Sequence, residues 1–278
     1  MAEAVTHGVA VGGFTVTTIL DGVIARDDGD TAFGADRDPA EVAAVAAAHG
    51  LDVRDLPNPF VPVLIRTGDA TILVDTGFGA ARRPQAGHLR ARLGELGVAP
   101  EAIDLVILTH LHPDHVGGLV EDGAPAFVNA RLVTGRREFA YWSEERTAPA
   151  VEANVRPLAD RLTLVDDGEE VAPGITAQAA FGHTPGHMIY HLENGGERLA
   201  LTADTANHPV LSLARPDWHF RADVEPVQAV ATRRRVFGDL ADAGIPFVGH
   251  HMPFPALGRV ARDGDGFRWW PITDLRDG

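Results

Sequence analysis

Apolar and polar positions along the first half of the chain follow the periods of strands and helices in turn. Alternating or continuous apolar runs predict strands at 14–20, 60–68, 70–77 and 103–110. The stretches 40–49 and 88–97 have helical patterns, and Gly50 gives the first of them a glycine stop. The turn signal Gly68-Asp69 joins the second and third of these strands into a hairpin.

The second half of the chain repeats this order. A strand pattern at 126–135 and a helix pattern at 136–145 precede strand patterns at 174–187, 188–195, 197–205, 245–264 and 267–272, with a long helix pattern at 225–243. Strand clusters that alternate with helices in both halves predict an α/β sandwich, in which outer helices cover two sheets. Because no linker interrupts the pattern, we expect one domain over 1–278, with the N-terminal strands and helix (1–58) packed on the rest.

The composition predicts a folded, acidic protein. Among 278 residues, 39 are acidic and 24 are basic, and the resulting net charge of −15 would repel a phosphate backbone, so we expect no nucleic-acid partner. The dense basic cluster Arg233–Arg235 lies in the long helix pattern and is interpreted as a solvated or salt-bridged face. We find neither an export signal nor about 18 apolar residues in a row, which favours a cytoplasmic protein without a membrane partner.

The segment ILTHLHPDHVGG, residues 107–118, crowds His110, His112, Asp114 and His115 into six positions after a buried-strand pattern. Histidines two apart on an extended segment point to the same side, and Pro113 ends the strand and lets the following side chains turn back. The chain has no cysteine, so any metal must bind through nitrogen and oxygen. Imidazole with carboxylate suits Zn²⁺, Fe, Mn²⁺ or Co²⁺ better than Ca²⁺ or Mg²⁺. This segment is therefore expected to serve two neighbouring metal ions.

Three later segments supply partners for this cluster. GHTPGH contains His183 and His187, LTADT contains Asp204, and VGHHMPFP contains His250 and His251. Each segment follows an apolar strand-like run, as a site built on strand ends requires. This matching set makes a loop of merely solvated polar residues a poor alternative.

Together with LVDTG, which contains Asp75, these motifs resemble those of the metallo-β-lactamase fold superfamily over about residues 14 to 270. The resemblance implies a four-layer αββα sandwich of two mixed β-sheets flanked by helices, with a two-metal site between the sheets. The segments EFAYWSEE, ATRRRVF and HHMPFPALGRV make the chain look most like the methyl parathion hydrolase branch. Relatives often form dimers, so the resemblance also suggests a homodimer.

The resemblance further implies that two ions share seven ligands: His110, His112 and His187 for the first, Asp114, His115 and His251 for the second, and Asp204 between them. His251 is preferred to His250 because the ligand in the relatives directly precedes an xPFP stretch. Asp75, His183 and His250 are expected behind the ligands, where Asp75 would orient a ligand imidazole. Zinc is the favoured ion, with Fe, Mn or Co as alternatives.

Two such ions share a water and lower its pKa towards 7, so that a bridging hydroxide is available at neutral pH. The expected protein is a metal-dependent hydrolase of a small ester-like substrate: a carboxylic ester, a lactone or an organophosphate triester. Asp114 or Asp204 is expected to pass a proton to the leaving group. The alternatives are an iron-dependent oxidoreductase of the persulfide-dioxygenase kind and a catalytically silent ligand-binding effector that has kept its metals.

The sequence marks the substrate pocket less clearly. Trp142 matches an aromatic residue at the entrance in the methyl parathion hydrolase branch, and Trp218 with Phe220 is expected to form another wall. Aromatic residues in a helix pattern more often belong to the core, so a packing role for Trp142 is the alternative. Lactonases that open acyl-homoserine lactones carry a tyrosine shortly after the bridging aspartate. This chain has Asn207 there, which argues against that activity.

Overall fold

The first of two seven-stranded sheets contains most strands of the N-terminal half. In the computed structural model, which describes residues 4–277, its strands are, in order across the sheet, β1 (Thr6–Val11), β2 (Phe14–Ile19), β5 (Val63–Arg66), β6 (Thr71–Val74), β7 (Leu105–Leu108), β10 (Arg131–Gly135) and β11 (Leu162–Val165). Neighbours from β1 to β6 pair antiparallel, and neighbours from β6 to β11 pair parallel. The first sheet is therefore mixed.

The second sheet belongs to the C-terminal half. Its strands are, in order, β12 (Glu170–Ala172), β13 (Ile175–Ala179), β14 (Met188–Asn194), β15 (Glu197–Ala203), β16 (Phe247–Gly249), β17 (Leu257–Asp263) and β18 (Gly266–Pro271). β15 and β16 pair parallel and the other neighbours antiparallel, so this sheet is also mixed. Two short antiparallel pairs lie outside the sheets: β3 (Gly22–Val23) with β4 (Pro59–Phe60), and β8 (Val120–Glu121) with β9 (Ala124–Pro125).

Helices connect and cover the sheets. The α-helices are α1 (Gly29–Ala32), α2 (Pro39–Ala48), α3 (Leu89–Glu95), α4 (Pro113–Val116), α5 (Arg136–Ala140), α6 (Pro149–Asn154) and α7 (Pro226–Ala243). Three 3₁₀ turns lie at Gly79–Arg82, Pro100–Ala102 and Arg156–Arg161, and two π-helical turns lie at Tyr141–Glu145 and Pro209–Ala214. None of the described helices combines the length and the apolar composition needed to cross a bilayer.

Apolar side chains on the central strands face two different cores. Ile72 of β6 and Ile107 of β7 contribute to a core that both sheets share, whereas Leu73 of β6 packs in an outer core with Leu93 of α3. Strands buried on both faces need nearly continuous apolar runs, which is the pattern that the sequence shows there. Helices on the outer side of each sheet confirm the predicted α/β sandwich of two mixed sheets.

The prediction of one strand over 245–264 was wrong. This stretch forms β16 and β17, and the residues between them make a loop that carries His250 and His251. Pro253 and Pro255 explain the break, since proline cannot donate a hydrogen bond to a neighbouring strand. The loop returns to the same sheet, because β16 and β17 pair with each other.

Candidate metal centre

The predicted site residues meet where strands of both sheets end. β6 leads to Asp75, β7 to the HLHPDH motif, and β15 to Asp204. Two of these turns have left-handed backbone conformations that non-glycine residues rarely adopt, with φ of 61° at Asp75 and 43° at Ala203. Such backbone strain is found where the surrounding structure must hold a functional side chain in place.

Three imidazoles form the first group of the site. The Nδ1 atom of His112 lies 3.0 Å from Nε2 of His110 and 3.0 Å from Nε2 of His183. Burial holds the pKa of His110 well below its ordinary value. Burial and then the neighbouring His183 lower the pKa of His112 to about 3. These two rings are therefore neutral near pH 7, the protonation state in which imidazole binds a metal.

His183, rather than His187, lies with His110 and His112 in this group, and the choice of ligand between the two histidines of GHTPGH stays a prediction. The Nε2 atom of His187 accepts a hydrogen bond from the backbone N–H of Asp204 at 3.2 Å, and its Nδ1 lies 3.2 Å from the carbonyl of Ala180. Both nitrogens of His187 are thus occupied by the backbone. His183 instead directs Nε2 at the first group and stands 3.3 Å from Oδ2 of Asp204.

The second group combines a carboxylate with imidazoles. Oδ2 of Asp114 lies 3.6 Å from Nε2 of His115 and 3.4 Å from Nε2 of His251. Burial lowers the pKa of His251, but the carboxylates of Asp204 and Asp114 outweigh burial and raise this pKa to about 9. In the absence of a metal, the two carboxylates thus favour the protonated form of His251, whose Nε2 faces them.

Asp204 lies between the two groups. Its Oδ1 is 3.2 Å from Nε2 of His115, whereas its Oδ2 is 3.0 Å from Nε2 of His251 and faces His183. Oδ1 of Asp204 and Nε2 of His115 are both buried, and although they lie 3.2 Å apart, neither makes a well-aligned hydrogen bond among the described residues. Because buried polar atoms are rarely left unpaired, this donor set fits two ions that share the Asp204 carboxylate.

The two histidines of VGHHMPFP differ in orientation. The Nδ1 atom of His251 lies 2.9 Å from the carbonyl of Pro59, which turns Nε2 towards Asp204 and Asp114. The ring of His250 lies 4.0 Å from that of His115 with an interplanar angle of 33°, and its buried Nε2 has no hydrogen-bond partner in the part of the chain that the structure describes. Both are close enough to Asp114 and His115 to hold an ion. The orientation supports the preference for His251, which stays a prediction.

Carboxylates behind the ligands fix the orientation of two imidazoles. Oδ2 of Asp75 lies 2.8 Å from Nδ1 of His115. Oδ1 of Asp223 lies 2.9 Å from Nδ1 of His183, a contact that the sequence reasoning missed. A carboxylate on the far nitrogen of an imidazole sets its tautomer and strengthens the near nitrogen as a ligand.

Trp142 is tied to the site through Glu138, a second residue that the sequence reasoning missed. The indole Nε1 donates to Oε1 of Glu138 at 2.7 Å, and the Trp142 ring lies 5.8 Å from that of His112. Glu138 is fully buried and also accepts hydrogen bonds from the backbone of Leu111 at 2.9 Å and from Thr184 at 2.6 Å. This carboxylate therefore joins the loops that carry His112 and His183.

Replacing Glu138 with glutamine is expected to lower the free energy of unfolding of the metal-free protein by about 3 kcal/mol. The amide has one acceptor oxygen and would turn its N–H₂ group towards backbone and hydroxyl donors, which leaves buried donors without partners. Urea unfolding followed by circular dichroism measures the change. Glu144→Gln, on the exposed side of the same segment, is the control and should shift the value by less than about 0.5 kcal/mol. Equal values for both variants would show that Glu138 does not join the loops.

The remaining predicted pocket residues lie in different surroundings. Phe220 stacks near His183 with a ring separation of 6.2 Å, and Asn207 donates from Nδ2 to Oδ2 of Asp204 at 2.9 Å. Trp218 and Phe220 are both buried in a small separate core with Phe33, and Trp218 also lines a cavity of about 760 Å³. Phe220 and Asn207 therefore contact the site directly, whereas no described contact joins Trp218 to a ligand side chain.

Known proteins resemble the sequence over its middle part. A family model described as the metallo-beta-lactamase superfamily matches residues 61–251. An N-acyl homoserine lactonase of Bacillus sp is 29% identical over 166 residues, 51% of this chain and 62% of the relative. Anti-Pycsar protein Apyc1 of Paenibacillus sp. (strain J14) is 37% identical over 163 residues, 53% of this chain and 61% of the relative. The chain thus matches about three fifths of the length of these relatives.

Solved structures match nearly the whole chain. The hydrolase AbOPH, described as a member of the beta lactamase superfamily, superposes with a TM-score of 0.90 at 26% identity and covers 98% of this chain and 99% of its own. AidC, a dizinc quorum-quenching lactonase in complex with a product N-hexanoyl-L-homoserine, superposes with a TM-score of 0.88 at 24% identity and covers 97% of this chain and 99% of its own. These likenesses support the fold described above.

Proposed function

The chain belongs to the metallo-β-lactamase superfamily, and we propose that it is a two-metal hydrolase of small, uncharged, ester-like substrates. One observation carries the proposal: two adjacent groups of imidazole and carboxylate ligands converge on the single carboxylate of Asp204. The dizinc lactonase AidC and the hydrolase AbOPH share this fold, which supports zinc as the metal and hydrolysis as the reaction. The closer likeness to the methyl parathion hydrolase branch stays a prediction.

We assign the ligands from the geometry together with the resemblance. The proposed set has seven members: His110, His112 and His183 for the first ion, Asp114, His115 and His251 for the second, and Asp204 between them. When bound, such ions lower the pKa of a shared water and polarise the oxygen of the group under attack. The complete second group argues against the single-iron oxidoreductase alternative.

The two aspartates of the site differ in what they can do with a proton. The Asp204 side chain is 3% exposed, and its Oδ2 already accepts from Asn207. The Asp114 side chain is 15% exposed, and Oδ2 faces Nε2 of His251 at 3.4 Å. We therefore infer that Asp114 hands a proton to the leaving group, while Asn207 holds Asp204 in its bridging orientation.

Aromatic rings beside the ligands support an apolar substrate. Trp142 lies near His112, Phe220 near His183, and Phe60 meets the ring of His251 at 5.3 Å. All three rings are buried, and we infer that they form the apolar wall behind the ligands. Sites with apolar walls bind uncharged, largely apolar molecules and use a few polar groups to orient them. The proposed substrate is therefore a lactone or carboxylic ester with an apolar acyl chain, or an organophosphate triester. Asn207, in place of a tyrosine, weighs against an enzyme dedicated to acyl-homoserine lactones.

A panel of substrates tests the proposal. The zinc-loaded protein is offered an aryl ester, an aliphatic lactone, an acyl-homoserine lactone, an organophosphate triester and a β-lactam, and the initial rates are compared at equal concentration. We expect the uncharged esters, lactones or triesters to be hydrolysed and the β-lactam, with its carboxylate, to be spared. No hydrolysis by a protein that holds two zinc ions would contradict the proposal and favour a ligand-binding effector. Oxygen uptake by an iron-loaded sample would instead favour the oxidoreductase.

Removing the metal is expected to abolish hydrolysis reversibly. Without ions, the carboxylates of Asp114 and Asp204 raise the pKa of both His115 and His251, and these imidazolium charges offset the carboxylates, so the fold persists while the reaction lacks its nucleophile. Dialysis against a chelator should lower the rate to the uncatalysed level, and two equivalents of Zn²⁺ per chain should restore it. Circular dichroism on the same samples shows whether the fold is kept. Full activity in a sample without bound metal would exclude a metal-dependent reaction.

A further inference from the structure

Arg233 lies inside the protein, so of the two interpretations of its cluster, a solvated or a salt-bridged face, the solvated one is wrong for this residue, which pairs with Asp223. The residue is 1% exposed. It lies on the buried side of α7 in line with Ala229, Val236, Phe237 and Leu240, at the spacing of residues that share one helix face. Burying a guanidinium lowers the free energy of unfolding unless its charge and its N–H groups all find partners. The partners of Arg233 therefore indicate why the residue is buried.

The guanidinium of Arg233 reaches three parts of the site at once. Its Nε donates to the carbonyl of Thr205 at 3.0 Å, in the turn directly after Asp204. Its Nη1 donates to the carbonyls of Pro216 and Trp218 at 3.0 Å each, in the segment that leads to Phe220. Its Nη2 donates to Oδ2 of Asp223 at 3.2 Å.

Asp223 passes this contact on to the first metal group. The Asp223 carboxylate is fully buried. Its Oδ2 accepts a hydrogen bond from Arg233, and its Oδ1 lies 2.9 Å from Nδ1 of His183. The opposite nitrogen of that ring, Nε2, is the atom that faces His112 and Asp204. The chain Arg233–Asp223–His183 therefore runs unbroken from the middle of α7 to the centre of the site.

We propose that Arg233 is a positioning residue that holds His183, the turn after Asp204 and the wall that ends at Phe220 in one arrangement. The inference rests on the proposed metal centre and adds to it a residue that contacts neither metal nor substrate. An arginine suits this place because its planar fork offers five N–H donors in fixed directions, whereas lysine offers one ammonium that cannot reach all of these acceptors. Arg233 acts through Asp223 on His183 and through Thr205 on Asp204.

Metal binding gives a readout that does not depend on turnover. Metal-free wild type, Arg233→Lys and Asp223→Asn are titrated with Co²⁺ and followed by visible absorption, which reports the affinity and the ligand geometry of each ion. We expect both variants to bind one of the two ions about 10- to 100-fold more weakly, the usual cost of removing a partner behind a ligand imidazole, and to show an altered spectrum for that ion. In Asp223→Asn, the second ion should bind as in wild type, because Asp223 contacts His183 and not the ligands of that ion.

Arg234→Lys is the matched control, since Arg234 follows directly on the same helix and pairs with Asp217 at the surface. It should bind both ions as wild type does. If Arg233→Lys does not fold, Asp223→Asn carries the test, because it keeps the shape of the side chain. A lower Tm with wild-type affinity and spectrum for both ions would show a merely structural role and overturn the inference.

The two proposals can fail separately. Wild type that binds two Co²⁺ ions but hydrolyses nothing contradicts the proposed function, and the comparison of Co²⁺ affinities still decides on Arg233. Wild type that binds fewer than two ions overturns both.

Discussion

Replacing Asp204 with alanine is expected to lower kcat/KM by at least about a thousandfold on whichever substrate the panel selects. The carboxylate directs one oxygen at His115 and the other at His183 and His251. Asp204 therefore lies between both groups of ligands. Its loss removes a ligand from both ions at once. Steady-state kinetics measures the change, and elemental analysis of the purified variant should find fewer than two ions per chain.

The fold should survive this substitution. Without Asp204, the pKa of His251 loses one of the two carboxylates that raise it, and Asp114 still faces the ring at 3.4 Å, so no buried charge on His251 is left unpaired. Asp217→Ala, at the surface, serves as the control and should retain wild-type kinetics. Turnover by Asp204→Ala within about tenfold of wild type, in a sample that holds two ions, would contradict the bridging role of Asp204.

Most of the fold could be predicted because the chain is locally consistent. The apolar runs at β6 and β7 are continuous, since successive residues such as Ile72 and Leu73 pack into cores on opposite faces of the sheet. The helix patterns at α2 and α7 begin and end within a residue of the predicted bounds. The stretch 245–264 was harder to predict, because β16 contains three residues and is defined by pairing with distant β15.

The HLHPDH motif could be located from sequence because its side chains come from one short segment, and their convergence follows from local geometry. The choice between His183 and His187 depends on a contact that is distant in sequence. Gly182 has a φ of 131°, and a Cβ there would lie 2.2 Å from the backbone nitrogen of Ala229 on α7. This close packing sets the direction of the loop, and nothing within GHTPGH reveals it.

The burial of Arg233 could have been predicted from the sequence, whereas the contact of Asp223 with His183 could not. Arg233 occupies an apolar position of the α7 pattern, between Ala229 and Phe237, where a buried and paired arginine is the physical alternative to a solvated one. Asp223 lies 40 residues from His183 in a polar loop, and only the folded chain brings the two together. Partners behind ligands are selected by tertiary contacts, so their sequence signal is weak.

Replacing each of the two histidines in GHTPGH with alanine tests the proposed ligand set directly. His183→Ala is expected to lose one metal ion and to lower kcat/KM at least about a hundredfold, because Nε2 of His183 faces His112 and Asp204 and Asp223 holds the ring in place. His187→Ala is expected to keep two ions, since both of its ring nitrogens bond to the backbone. Its main effect should be a loss of stability of about 2 kcal/mol, from the unpaired N–H of Asp204 and the cavity left behind.

Elemental analysis, steady-state kinetics and urea unfolding of both variants separate these effects. A stable His183→Ala that holds two ions, together with a His187→Ala that holds one, would restore the ligand set expected from the sequence resemblance. We predict the opposite result, in which His183→Ala loses one ion and His187→Ala keeps two. It would show that a carboxylate behind an imidazole identifies the ligand better than the order of the histidines in the motif. The physical reason is that Asp223 fixes the tautomer of His183 with Nε2 free for the metal, whereas the backbone N–H of Asp204 occupies the same atom of His187.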